Sequence, residues 1–107
     1  MIRSIVAVFA FALASSAFAA GTEYKIVIKD HLFVPTTIEV PAGQKFELIV
    51  ENQDATPEEF ESHSLKREKI IAGGATARIK IGPLKAGEYK FFGEFNEKTA
   101  QGKLIVK

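Results

Sequence analysis

The chain has 107 residues, a quarter of them charged, and a formal net charge of +1. It has no Cys and no Trp, and its single Met is Met1. This length leaves room for one domain, the near-neutral balance gives no reason to expect nucleic acid as a partner, and the composition excludes both disulfides and thiolate metal ligands.

The amino terminus reads as an export signal. Arg3 is followed by an uncharged apolar run from Ile5 to Leu13, then by Ala14-Ser15-Ser16 and the small-x-small triplet Ala17-Phe18-Ala19. That layout predicts a secretory signal helix over residues 1–19, with cleavage before Ala20. The run is shorter than the ~20 residues that cross a bilayer. The remaining domain, residues 20–107, carries 13 basic and 13 acidic residues once Arg3 is gone, and it is free of sulfur. Its expected location is the periplasm.

From Tyr24 onward the apolar period is close to two. Tyr24, Ile26 and Ile28 alternate with Lys25, Val27 and Lys29, which is the pattern of a strand with one buried face. His31-Leu32-Phe33-Val34-Pro35 is an irregular extended piece, and Thr36 to Val40 resumes a strand. Pro41-Ala42-Gly43 is a turn. Phe46, Leu48 and Val50 share one face of the next strand. After the loop 52–57 comes an unusually polar extended run, Glu58 to Leu65. Further strands are expected at 69–71, 75–81, 88–92 and 102–107, with a loop over 93–101 and a brief helical turn near Asn96–Ala100. Seven or eight short strands at such intervals predict an all-β antiparallel Greek-key β-sandwich.

Several of these segments together resemble a known family. Phe33-Val34-Pro35, Ile38-Glu39-Val40-Pro41-Ala42-Gly43 and Phe46 to Asn52 look like the first half of a cupredoxin-like domain. Gly82 to Phe91 and Gly102 to Val106 look like the second half. Asp54 to His63 is similar to the corresponding stretch of the Cys-free cupredoxin-like domains of periplasmic iron-uptake systems, the EfeO and FtrB types. The resemblance implies a metal-binding module for iron or copper that supports metal uptake beside a membrane permease or other periplasmic partner.

It does not imply blue copper. A type-1 site takes two His, a Cys thiolate and usually a weak axial Met. Here Gly93 stands at the position of the Cys, no His follows His63, and residues 20–107 have no Met. What the sequence offers instead is oxygen and imidazole. In a strand, Glu59, Glu61 and His63 point to one side along about 13 Å. The loop before the last strand brings Glu94, and His31 lies on the first irregular segment. Carboxylate and imidazole suit a hard or borderline cation, iron or Cu(II). Glu59, Glu61, His63, Glu94 and His31 are therefore the candidate metal ligands. The same residues also suit a solvated strand edge, since edge charges block aggregation. Two other functions stay open: a metal-free interaction module beside a transporter, and a ferrous oxidase. No catalytic triad is legible, because Ser62 and Ser64 point away from His63 if all three lie in one strand.

Overall fold

Hydrophobic alternation along each segment places the strands in two packed layers. The structure is a computed structural model that describes residues 22–107. The expected signal segment, 1–19, lies outside the described residues. The strands are β1 (Thr22–Lys29), β2 (Leu32–Val34), β3 (Thr37–Val40), β4 (Phe46–Asn52), β5 (Glu58–Ser62), β6 (Arg67–Ile71), β7 (Thr76–Ile81), β8 (Gly87–Phe92) and β9 (Gln101–Val106). One sheet has the order β2-β1-β4-β7 and the other β3-β9-β8-β5-β6. The expected all-β sandwich is thus present, with nine strands among the described residues. Two pairs, β1–β4 and β3–β9, run parallel, and the remaining pairs are antiparallel. Among the described residues no helix is long and apolar enough to cross a membrane.

The core lies between the layers. Ile26 and Ile28 of β1, Phe46, Leu48 and Val50 of β4, and Ala77, Ile79 and Ile81 of β7 line one inner face. Phe60, Phe91, Leu104 and Val106 line the other. At one end three aromatic rings meet. Phe33 is edge-on to both Phe60 and Phe91, with centroids 6.2 and 5.0 Å away, and Phe60 stacks on Phe91 at 5.0 Å. These rings join β2, β5 and β8, so the apolar core sits directly beneath the polar run of β5. Such ring pairs add about 0.5–1.5 kcal/mol each beyond area burial.

Local chemistry fixes the loops at this end. Asn52 is fully buried. Its amide donates to the carbonyls of Thr56 and Ile71, at 2.9 and 3.0 Å, and its oxygen accepts from the Asp54 N–H at 2.9 Å. The loop 53–57 is thereby tied to the end of β6. The helical turn lies earlier than expected: a 3-10 turn spans Glu94–Asn96, and the residues after it form a hydrogen-bonded turn in which the Ala100 N–H donates to the Asn96 carbonyl at 2.8 Å.

Candidate functional site

Strand β5 begins with two adjacent carboxylates, Glu58 and Glu59, both about 1 % exposed. Adjacent strand residues point to opposite faces, so the two enter different environments. The structure sorts the candidate ligands accordingly into two groups and leaves His63 outside both.

The first group surrounds Glu58. The β1–β2 hairpin turns on Asp30 and His31, both with positive φ, 54° and 59°. Two-residue hairpins favour that geometry, and Asp and His tolerate it better than most side chains. The Asp54 carboxylate holds the turn by accepting from the N–H groups of Asp30 and His31 at 2.7 and 3.1 Å. The His31 imidazole then reaches Glu58, Nδ1 to Oε2, at 2.5 Å. The other Glu58 oxygen accepts from the Asn96 amide at 3.0 Å, and the Thr99 hydroxyl donates to the His31 carbonyl. The hydrogen bond to Glu58 raises the His31 pKa. Partial burial opposes this, and the charges of Glu58, Asp54 and Asp30 reinforce it. Burial pushes the Asp54 carboxyl up, but its contact with Glu58, the two N–H donors and the His31 charge hold it below its ordinary value. His31, Asp54 and Glu58 are thus close enough to share a cation, and the His31 imidazole already lies among the carboxylates.

The second group lies on the outer face of the five-stranded sheet. Glu59, Glu61, Glu68 and Glu94 each offer a carboxylate oxygen, all within 4.8 Å of one another. Glu68 stands directly across from Glu61 in the β5–β6 ladder. Glu94, at the start of the 3-10 turn, donates its backbone N–H to Glu59 Oε1 at 2.8 Å. Burial pushes the Glu59 carboxyl up to about 7. The Glu94 N–H opposes this, while a hydrogen bond with Glu68 and the charges of Glu61 and Glu94 add to it. Glu61 Oε1 is buried and has no hydrogen-bond partner. Four carboxylates with one orphaned oxygen form a ready acceptor for a hard cation, which favours oxygen ligands at coordination numbers of six or more.

His63 is exposed and sits beyond β5. Its ring packs on Phe92, centroids 5.3 Å apart, rather than joining the carboxylates. Of the residues expected from sequence, Glu59, Glu61 and Glu94 are brought together, His31 joins a separate cluster, and His63 flanks a groove. Sequence reasoning did not single out Asp54, Glu58, Glu68 or Asn96 as site residues. For Glu68 a signal existed: the β5–β6 hairpin sets two Glu side chains directly opposite, a like-charge pairing that costs stability unless something bridges it.

Thiolate copper does not fit this chain. A Cβ on Gly93 would lie 2.8 Å from the Glu59 carbonyl oxygen and 3.0 Å from the Ala100 side chain. The neighbouring backbone has closed over the position where the family resemblance puts the Cys.

Comparisons with known proteins bear on the fold. A protein of Rickettsia prowazekii (strain Madrid E) whose own role is uncharacterised is 54% identical over 84 residues, covering 78% of this chain and 67% of that protein. Among solved structures, the metal-binding domain of the Streptococcus pneumoniae D39 Cu(I)-exporting P-type ATPase CopA superposes with a TM-score of 0.71 at 17% identity. The match covers 81% of this chain and 87% of that one. Auracyanin A, a blue copper protein of Chloroflexus aurantiacus, superposes with a TM-score of 0.70 at 18% identity, over 81% of this chain and all of that one. At such identities these structures speak for the fold alone. The cupredoxin-like domain family matches residues 3–106, nearly the whole sequence, and this chain belongs to it.

Proposed function

We propose that this protein is an exported, periplasmic metal-binding module that takes iron or copper on oxygen ligands and supports metal uptake beside a membrane permease or other periplasmic partner, in the manner of the EfeO and FtrB types. The ligands are Glu59, Glu61, Glu68 and Glu94. The observation that carries this reading is the buried, unpartnered Glu61 Oε1 on a side chain whose carboxylate clusters with three others. A buried acceptor without a donor costs about 1–3 kcal/mol, and a bound cation removes that cost. An all-oxygen set favours a hard ion, so Fe(III) is preferred over Fe(II), and Cu(II) is the alternative. The export pattern of residues 1–19 supports the compartment, and the stretch from Asp54 to His63 supports the kinship with uptake systems.

Calorimetric titration with Fe(II), Fe(III) and Cu(II), alongside Glu61→Gln and Glu68→Gln, tests it. Saturable binding that both variants weaken is expected. If no ion binds more tightly than about 100 μM, the domain is an interaction module rather than a metal carrier. Sustained oxygen consumption with Fe(II) would instead assign it as a ferrous oxidase.

A further inference from the structure

The outer face of the five-stranded sheet continues past the carboxylate cluster. Glu61 stands opposite Phe92 in the β5–β8 ladder, so the cluster opens onto the β8 side chains that share this face. There, a groove of about 420 Å³ is lined by His63, Ser64, Glu88, Lys90 and Phe92. That volume is in the range that holds a small molecule. Its walls are chiefly the Phe92 and His63 rings, packed 5.3 Å apart. Its cation is Lys90, which also borders the adjoining 260 Å³ groove beside Thr37 and Lys103. Glu88 is drawn aside by Lys103, 3.4 Å away. Among the described residues no carboxylate oxygen lies within 4.0 Å of the Lys90 ammonium. A flat apolar surface, an uncommitted ammonium and the donors of Ser64 and His63 thus converge next to an oxygen-rich cation site.

We propose that this groove is an anion subsite for a small aromatic hydroxycarboxylate, the organic half of a metal chelate whose cation the adjacent carboxylates take. The inference rests on the metal reading above. A flat ring lies against Phe92 and His63, and its carboxylate meets Lys90. The charge balance sets the order of events. Four neighbouring Glu side chains repel a lone anion, and a cation among them reverses that field. Anion and cation therefore bind with positive coupling, each raising the affinity for the other by the same factor.

Salicylate is the probe. Calorimetry is run with Cu(II) alone, with salicylate alone, and with salicylate on Cu(II)-loaded protein. Amide and side-chain shifts are followed on metal-free protein. Salicylate is expected to bind the loaded protein about tenfold more tightly than the metal-free one, to shift Phe92 and His63, and to lose about tenfold in Lys90→Gln while Cu(II) binds that variant at least as tightly as wild type. Unchanged salicylate binding in Lys90→Gln, absent coupling to Cu(II), or shifts away from Phe92 and His63 overturns the anion subsite and leaves the metal reading intact. If neither Cu(II) nor, in the titration above, Fe(III) binds, the metal reading fails. The groove assignment then survives only if metal-free protein binds salicylate in a Lys90-dependent way, and the lack of such binding overturns it too.

Discussion

The His31 imidazole and the buried Glu58 carboxylate are joined Nδ1 to Oε2 at 2.5 Å, across 27 residues of sequence. Through this contact the β1–β2 turn, the loop carrying Asp54, the head of β5 and the 3-10 turn become one network. Because Glu58 raises the His31 pKa, the folded state binds that proton more tightly than the unfolded chain does. The resulting stability is fully present below about pH 6.5 and is lost as pH rises through the raised folded value. In thermal melts, wild type is expected to exceed His31→Gln most at about pH 6, and the gap should narrow on the alkaline side. NMR titration gives the direct check. A His31 midpoint at or below the ordinary histidine value would mean that the ion pair does not form in solution.

Glu59 titrates in a different window. Its folded value of about 7 lies above the ordinary carboxyl value of 4.5. Between those limits the folded protein holds the extra proton, so metal-free stability falls as pH rises from about 4.5 to 7. Above that window Glu59→Gln is expected to stabilise the metal-free protein by roughly 1–3 kcal/mol, because it removes a buried charge and keeps an acceptor for the Glu94 N–H. The same substitution should weaken cation binding. A metal must displace the Glu59 proton, so wild-type affinity should climb with pH up to about 7 and then level off, and that slope should shrink in Glu59→Gln. Equal slopes in both proteins would remove Glu59 from the ligand set.

The fold was largely legible because alternation is a local signal. Ile26 and Ile28, or Phe46, Leu48 and Val50, announce their buried face without help from distant residues. Adjacent residues of β8 likewise face opposite ways, with Phe91 buried and Phe92 half-buried against His63. The site was legible only in part. Counting by twos placed Glu59, Glu61 and His63 on one side, but β5 ends at Ser62 and the turn beyond carries His63 toward Phe92. Glu68 depends on hairpin register, and Glu58 on what covers the end of the sandwich. Neither is encoded in the spacing of ligand-type residues along the chain.

Restoring a cysteine is expected to fail. In Gly93→Cys the new Cβ meets the Glu59 carbonyl oxygen at 2.8 Å and Ala100 at 3.0 Å, so β5 and the 3-10 turn must move apart. The expected cost is about 1–3 kcal/mol in chemical denaturation. Addition of Cu(II) should give no intense blue thiolate band, because the His expected after the Cys and the axial Met of such a site are missing as well: no His follows His63 and no Met follows Met1. A strong blue absorption in this variant would show that the end of the sandwich rearranges far more easily than its packing implies.

The aromatic trio packs beneath the strand that carries Glu59 and Glu61. Phe91 touches both Phe33 and Phe60, and it is fenced from β9 by Gly102, where an added Cβ would lie 2.5 Å from the Phe91 ring and 2.7 Å from the Thr36 carbonyl oxygen. Phe91→Ala is expected to cost about 3–5 kcal/mol, since it empties a fully packed position. Gly102→Ala forces the ring off its seat from the other side, and about 1–3 kcal/mol is expected. Phe60 lies between Glu59 and Glu61 in the chain, so a displaced ring stack should also loosen the carboxylate cluster. Both variants should therefore bind metal more weakly even under conditions where circular dichroism shows them folded. If Gly102→Ala loses stability but keeps wild-type metal affinity, the cluster is held by β6 and the 3-10 turn rather than by the core beneath it.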